Sequence, residues 1–271
     1  MEILKSVFLG VLQGLTEFLP VSSDGHLSVL TRLMDFQSEN KLFFFVFLHL
    51  ATMIATIVVF WKEIIALIIS LKHIPSSIKN KKWNPDLRMI FLIIIATIPA
   101  GLIGFLFSDL VENFQSNMKL VGILFLVNGV FLIATRWKRE GKLKENDFGF
   151  SSSFLVGLLQ GIAVLPAISR SGLTISGTLF MNGEREFAGR FSFLMSLPII
   201  LGANIFEFYK IGKKASLYFS NELLPSLVGF LAALITGFLA LKLLLNIIKR
   251  GRFYYFAYYC FLIGVVTLLF L

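Results

Sequence analysis

The chain has 271 residues, of which 56% are hydrophobic and 15% charged, and its mean hydropathy is +0.83. That composition excludes an ordinary water-soluble domain and calls for a bilayer as solvent. The formal charge of +9 does not mark a nucleic-acid binder, because the basic residues fall in short connectors between apolar runs rather than along one polar face.

Residues 1–34 are apolar but lack a basic leader and a small-residue cleavage pattern, so they read as part of the mature protein. Pro20, Gly25 and the hydroxyls of Ser22 and Ser23 split this stretch, leaving each half shorter than the roughly 20 residues that a spanning helix needs. Three unbroken runs follow at residues 42–61, 88–107 and 118–136. Residues 150–181 are broken again, by Pro166, Gly172 and three hydroxyl residues, and three more runs follow at 187–209, 223–247 and 253–271. The predicted fold is an all-α polytopic membrane protein, with six full transmembrane helices and two re-entrant helical hairpins. Thirty Phe suit lipid-facing surfaces of such helices, and the lone Cys260, inside an apolar run, serves packing and not a disulfide.

The two broken regions match. Gly10, Gln13, Gly14, Pro20 and Gly25 in the first correspond to Gly157, Gln160, Gly161, Pro166 and Gly172 in the second. The outer glycines are 15 positions apart in both, while the proline shifts by one. The chain is thus one membrane domain made of repeat units at about 1–136 and 150–271. Three crossings per unit place the second hairpin on the opposite side, which makes the repeats inverted. Broken backbone at membrane depth is tolerated where protein or water covers it. Sixteen basic residues collect on one side, among them Lys79, Lys81, Lys82, Arg136 and Arg139, against seven on the other; this predicts both termini outside.

The chemistry is expected at the breaks. Gln13 and Glu17 are four apart and project from one helix face toward Pro20. A carboxylate at that depth is a functional hypothesis by default, weighed against a Glu that snorkels to an interface. Gly10, Gly14, Gly157 and Gly161 form small-xxx-small faces and read as packing. Ser22-Ser23-Asp24-Gly25-His26 resembles the cap and first turn of a returning half-helix, an anion site with an imidazole beside it. The second break brings Ser169, Arg170, Ser171, Gly172 and Thr174, and the planar fork of Arg170 suits phosphate, the bland alternative being an ion pair with Glu17. If the hairpins meet, Glu17, His26 and Arg170 converge on a phosphate or diphosphate. His49 either reaches this cavity or packs a helix, His73 lies solvated in a connector, and Glu140, Glu145 and Asp147 show no metal-ligand spacing.

At these motifs the chain closely resembles the undecaprenyl-diphosphate phosphatase family, also called bacitracin resistance proteins. The first motif runs from Gln13 through Glu17, Phe18, Leu19, Pro20, Val21, Ser22, Ser23, Asp24 and Gly25 to His26, and the second from Pro166 through Ser169, Arg170, Ser171 and Gly172 to Thr174. The resemblance implies a phosphatase of the bacterial cytoplasmic (inner) membrane, open to the periplasmic or outer face. It would hydrolyse undecaprenyl diphosphate to undecaprenyl phosphate and inorganic phosphate, recycle the lipid carrier of cell-wall synthesis and give bacitracin resistance. It assigns Glu17, Ser23, His26 and Arg170 to catalysis, and Gln13, Ser22, Ser169, Ser171, Gly172 and Thr174 to the substrate. It also implies a divalent cation, Mg2+ or Ca2+, for which Glu17 is the carboxylate of the motif; Asp24, a departure of this chain from that motif, would have to contribute the second charge. Gln13 stands where many members have a second carboxylate, Asp24 where Thr is common and Ala167 where Gly is usual. Expected partners are the polyprenyl diphosphate and the bilayer, with a homodimer as a candidate assembly. Attack by His26 and attack by a water activated by Glu17 both remain open. Competing readings are a transporter or flippase of polyprenyl phosphate, the other family of membrane lipid phosphatases, which needs a His after His73 that this chain lacks, and a structural scaffold.

Overall fold

The computed structural model describes residues 3–33, 41–75, 77, 83–107, 114–212 and 215–271. Its principal elements are helices α1 (Ile3–Phe18), α2 (Ser23–Leu33), α3 (Lys41–Val59), α4 (Trp61–Ser70), α5 (Pro85–Leu106), α6 (Met118–Ala134), α7 (Phe150–Ile162), α8 (Arg170–Phe180), α9 (Arg185–Ile211), α10 (Ala215–Lys249) and α11 (Phe256–Phe270). Among the described residues, five helices are long and apolar enough to cross a membrane. A sixth span is obtained when Phe43–Val59 and Trp61–His73 are taken together, although the two are bent by 74°. The predicted run at 42–61 is therefore a helix that turns sharply at Phe60. No Pro or Gly marks this bend, but Phe60 is buried there, its ring stacked on Phe193 at 6.2 Å.

Helix boundaries follow local chemistry. Pro85 opens α5 behind Asn84, whose side chain accepts from the Asp86 N–H, and Asn117 caps α6 by accepting from Leu120 N–H. The connector between α6 and α7 is pinned to the start of α9, where Lys142 and Leu143 N–H donate to the Asn182 carbonyl.

Packing between spans uses small residues, as the glycine spacing predicts. A side chain at Gly10 or Gly14 would run into Gly229, Ala233 and Thr236 of α10, and one at Gly157 or Gly161 into Ala96 and Ile103 of α5. Within lipid the chain has no hydrophobic drive to bring helices together, so close backbone approach is what binds α1 to α10 and α7 to α5. The third pair, α6 and α11, meets at Gly122 and Gly264. The two hairpins α1–α2 and α7–α8 are thus each anchored by their first helix against a long span, α1 on α10 and α7 on α5.

Candidate active site

In the first hairpin α1 stops at Phe18, because Pro20 offers no N–H and disfavours helical geometry in the residue before it. The chain turns with Val21 N–H donating to Leu19 O at 2.7 Å, and Ser22 takes a left-handed conformation, φ +68°. Ser22 Oγ then caps α2 by accepting from Gly25 N–H at 3.3 Å. The second hairpin repeats the device. Ala167 is left-handed at φ +63°, and Ser169 Oγ caps α8 by accepting from Gly172 N–H at 3.0 Å. A left-handed backbone costs an alanine about 1–2 kcal/mol, which gives a physical reason for the glycine usual there in the family the motifs resemble.

The two breaks are packed against each other. A Cβ on Gly25 would lie 2.7 Å from Ala167 Cα and 2.6 Å from the Phe125 ring, so only glycine lets the turns approach this closely. Ser171 Oγ donates to Phe18 O at 2.9 Å, tying the start of α8 to the end of α1. Since that hydrogen is spent, Ser169 Oγ is the donor in its 3.1 Å contact with Ser171. Thr174 donates to Arg170 O at 2.8 Å and so accepts from Ser192 at 2.5 Å. The hydroxyls of Ser169, Ser171 and Thr174 are all buried and build the frame of the site.

The charged groups meet on that frame. Arg170, the first residue of α8, reaches across to form an ion pair with Glu17 Oε1. The other carboxylate oxygen accepts from Ser23 Oγ at 2.6 Å and from Gln13 Nε2 at 3.0 Å. The Glu17 side chain is only 6% exposed, whereas the Arg170 side chain keeps 19%. Glu17 is its guanidinium's partner among the described residues, which leaves most of the fork for an anion. The first N–H groups of α2 and α8 have no carbonyl within their own helices and add partial positive charge.

Two histidines flank this centre differently. His49, on α3, is held by Phe45 O at 3.0 Å through Nδ1. Its Nε2 faces Glu17 Oε2 at 3.9 Å and Asp24 Oδ1 at 3.8 Å, so it belongs to the site and is not merely packed. His26 lies one turn beyond Ser23 on the same face of α2. Its ring nitrogens contact Ser22 O and Tyr259 Oη, each at 2.7 Å, and its ring meets Phe125 edge-on. Glu17 and Arg170 thus meet as expected, with Gln13, Ser23 and His49 against Glu17, whereas His26, expected to join them, finds its partners in Ser22, Phe125 and Tyr259.

For a divalent cation the donors are hard oxygens, Glu17 and Asp24, and Gln13 Oε1 is buried with no hydrogen-bond partner. Among the described residues no three His, Cys, Asp or Glu side chains form a metal cage. These oxygens would suit a hard divalent cation such as Mg2+ or Ca2+.

Asn128, absent from the sequence reading, joins the hairpins. It is fully buried on α6; its Nδ2 donates to Pro20 O at 2.9 Å and to Cys260 Sγ at 3.3 Å, and its Oδ1 accepts from Ser169 N–H at 3.1 Å. The available signal was one uncharged amide within an otherwise apolar span.

Fold and site together define a polytopic membrane protein with a charge-paired polar centre, built where two broken helical hairpins meet. The family model described as bacitracin resistance protein BacA matches residues 6–266, and the chain belongs to that family. It is 42% identical over 276 residues to the undecaprenyl-diphosphatase of Desulforapulum autotrophicum, covering 99% of this chain and 98% of that one. It is 38% identical over 268 residues to the protein of the same name from Carboxydothermus hydrogenoformans, covering 99% and 97% of the two. The undecaprenyl-diphosphatase of Alkaliphilus metalliredigens is also 38% identical, over 277 residues, covering 100% of this chain and 99% of that one.

Proposed function

We infer that the chain is an undecaprenyl-diphosphatase, which hydrolyses undecaprenyl diphosphate to undecaprenyl phosphate and inorganic phosphate and so recycles the lipid carrier of cell-wall synthesis. The observation that carries the chemistry is the contact between Arg170 and Glu17 across two hairpins far apart in sequence, with Ser23 hydrogen-bonded to the same carboxylate. Arg170 and the N-termini of α2 and α8 bind the diphosphate oxygens and stabilise charge as it builds in the transition state. Glu17 takes a proton from the attacking water oxygen. That oxygen bonds to the terminal phosphorus, the bridging P–O bond breaks, and its electron pair leaves on undecaprenyl phosphate. A divalent cation held by Glu17, Asp24 and Gln13 Oε1 would neutralise diphosphate charge. Ser22, Ser169, Ser171, Gly172 and Thr174 hold this constellation in register.

Nδ1 of His26 meets a carbonyl, which only accepts, so it carries the proton and the neutral ring keeps its lone pair on Nε2. Nε2, one turn from Ser23, accepts from the Tyr259 hydroxyl at 2.7 Å. Because it is engaged by Tyr259, we favour an oxygen nucleophile over His26.

Pseudo-symmetric contacts support the inverted repeat. Hairpin helix α1 packs on α10 of the second unit as α7 packs on α5 of the first, α3 meets α10 as α9 meets α5, and α6 meets α11. Together with the charge asymmetry, this favours both termini on the outer side of the bacterial inner membrane, with six spans and two re-entrant hairpins.

Purified protein in detergent with Mg2+ should release inorganic phosphate from undecaprenyl diphosphate, and Arg170→Ala or Glu17→Gln should abolish it. No release with any divalent cation would end the reading. Rapid quenching with labelled substrate should trap no phosphohistidine, and its appearance would make His26 the nucleophile.

A further inference from the structure

Helix α4 leaves α3 at 74°, and its two faces are occupied differently. Helical spacing turns Ile64, Leu67 and Ser70 inward: Ile64 and Leu67 pack on the core that holds Phe60 and Phe193, and Ser70 is buried. Trp61, Ile65, Ile68 and Ile69 turn outward and are exposed, Trp61 by 56% and Ile68 by 57%. Lys62 and Lys72 stand at the two ends of this outer face, both exposed and, among the described residues, in no ion pair. A contiguous apolar face left open in this way marks a partner.

The backbone at the bend shows what that partner is. At a rise of about 1.5 Å per residue, the 19 residues of α3 reach about 28 Å, close to the roughly 30 Å of a hydrocarbon core, so the core ends where α3 does. Around the turn Phe60 N–H donates to Thr56 O and Ile64 N–H to Phe60 O, while the N–H groups of Trp61, Lys62 and Glu63 meet no backbone carbonyl among the described residues. Hydrocarbon does not tolerate open groups of this kind on a lipid-facing helix, whereas water and ester oxygens of the headgroup layer satisfy them. Glu63 adds a negative charge to the same first turn, where open N–H groups favour it.

We propose that α4 is an in-plane anchor: it lies along the cytoplasmic headgroup–acyl boundary, with Trp61, Ile65, Ile68 and Ile69 in the acyl layer and Lys62 and Lys72 on the phosphates of anionic lipids. α3 then crosses the bilayer alone, and the turn at Phe60 is its exit. Tryptophan beside lysine is the composition that this layer selects, and the connector belongs to the side on which the basic residues collect. Its inner residues Ile64 and Leu67 join the core cluster that also contains Phe18 of α1 and Ile175 of α8, so the anchor is built onto the same core as both hairpins.

Trp61→Cys, Ile65→Cys and Ile68→Cys, each in a Cys260→Ser background, can carry nitroxide labels in vesicles of equal parts phosphatidylcholine and phosphatidylglycerol. The three positions share one face and span about 10 Å of helix, so at 74° from α3 their depths should agree to within about 3 Å. A depth that changes by about 10 Å from Trp61 to Ile68 would make α4 the continuation of a span and overturn the proposal. Labels open to water throughout would overturn it too, as would spin–spin broadening between copies at Ile68, which would give the face to a second copy of the chain. Lys62→Glu combined with Lys72→Glu should shift all three labels toward water in these vesicles and not in phosphatidylcholine alone; an equal response in both would overturn the role of anionic phosphates. In Trp83→Phe, Trp137→Phe protein, Trp61 fluorescence reads α4 without a label. Lipid brominated near the ester should quench it more than lipid brominated near the chain end, and the reverse order would count against an in-plane helix. None of these readouts depends on phosphate release.

Discussion

Replacing Asn128 by Leu probes how the two hairpins are locked together. The amide satisfies two backbone groups that are otherwise buried, Pro20 C=O at 2.9 Å and Ser169 N–H at 3.1 Å, and Leu of similar size can satisfy neither. Each orphaned group costs about 1–3 kcal/mol, so the loss should total about 2–6 kcal/mol. Cys260 Sγ, 3.7 Å from Pro20 O, recovers little of this. The damage is also positional. Pro20 precedes Ser22 and Ser23, and Ser169 precedes Arg170, so this side chain, with the Ser171–Phe18 hydrogen bond and the Gly25–Ala167 contact, sets the distance between the Glu17–Ser23 half and the Arg170 half. A displacement of 1 Å in such a constellation costs roughly 100-fold in rate. The expected outcome for Asn128→Leu is a lowered melting midpoint in detergent and phosphate release reduced by about 100-fold, with protein still inserted in the membrane. Cys260→Ser, which keeps a polar atom toward the amide, should stay close to the native protein in both measurements. An Asn128→Leu protein with native melting and native turnover would refute the claim that this amide joins the hairpins.

The turns themselves make further predictions. Gly25→Ala forces a methyl group into Ala167 and Phe125, and overpacking of this kind costs about 1–3 kcal/mol; melting should fall and turnover with it, since α2 carries Ser23. Ala167→Gly relieves a left-handed alanine at φ +63° and should leave stability unchanged or raise it by up to about 1 kcal/mol, measured by the same melting assay. A clear loss would show that the Ala167 methyl group is needed to pack the hairpins. Chelation of divalent cations should stop phosphate release, and added Mg2+ or Ca2+ should restore it; full activity in excess chelator would remove the cation from Glu17 and Asp24.

Much of the site was legible because lipid leaves little freedom. A Pro with clustered hydroxyls inside an apolar run must be a covered break, and Ser22 and Ser169 are the caps that spacing from Gly25 and Gly172 would select. Glu17 and Arg170 stood out because charge at membrane depth demands a partner, and each is the other's. The sequence was less informative about His26, His49 and Tyr259. All three lie in helices whose period fixes their spacing along one face, but not which neighbour that face meets. The sharp turn at Phe60 was likewise invisible, since its local composition is that of a continuous span.

Composition and punctuation alone therefore determined the solvent, the helical class, the two interruptions and the residue types gathered there, because each follows from backbone groups needing hydrogen bonds where water is absent. Tertiary structure decided which groups are still free to act. It spends the hydroxyls of Ser169, Ser171 and Thr174 on the frame, places His49 opposite Glu17 and Asp24, turns His26 to Tyr259 and stitches the halves together through Asn128. These outcomes rest on contacts between helices distant in the chain, and such contacts are set by close packing of whole surfaces rather than by any local pattern.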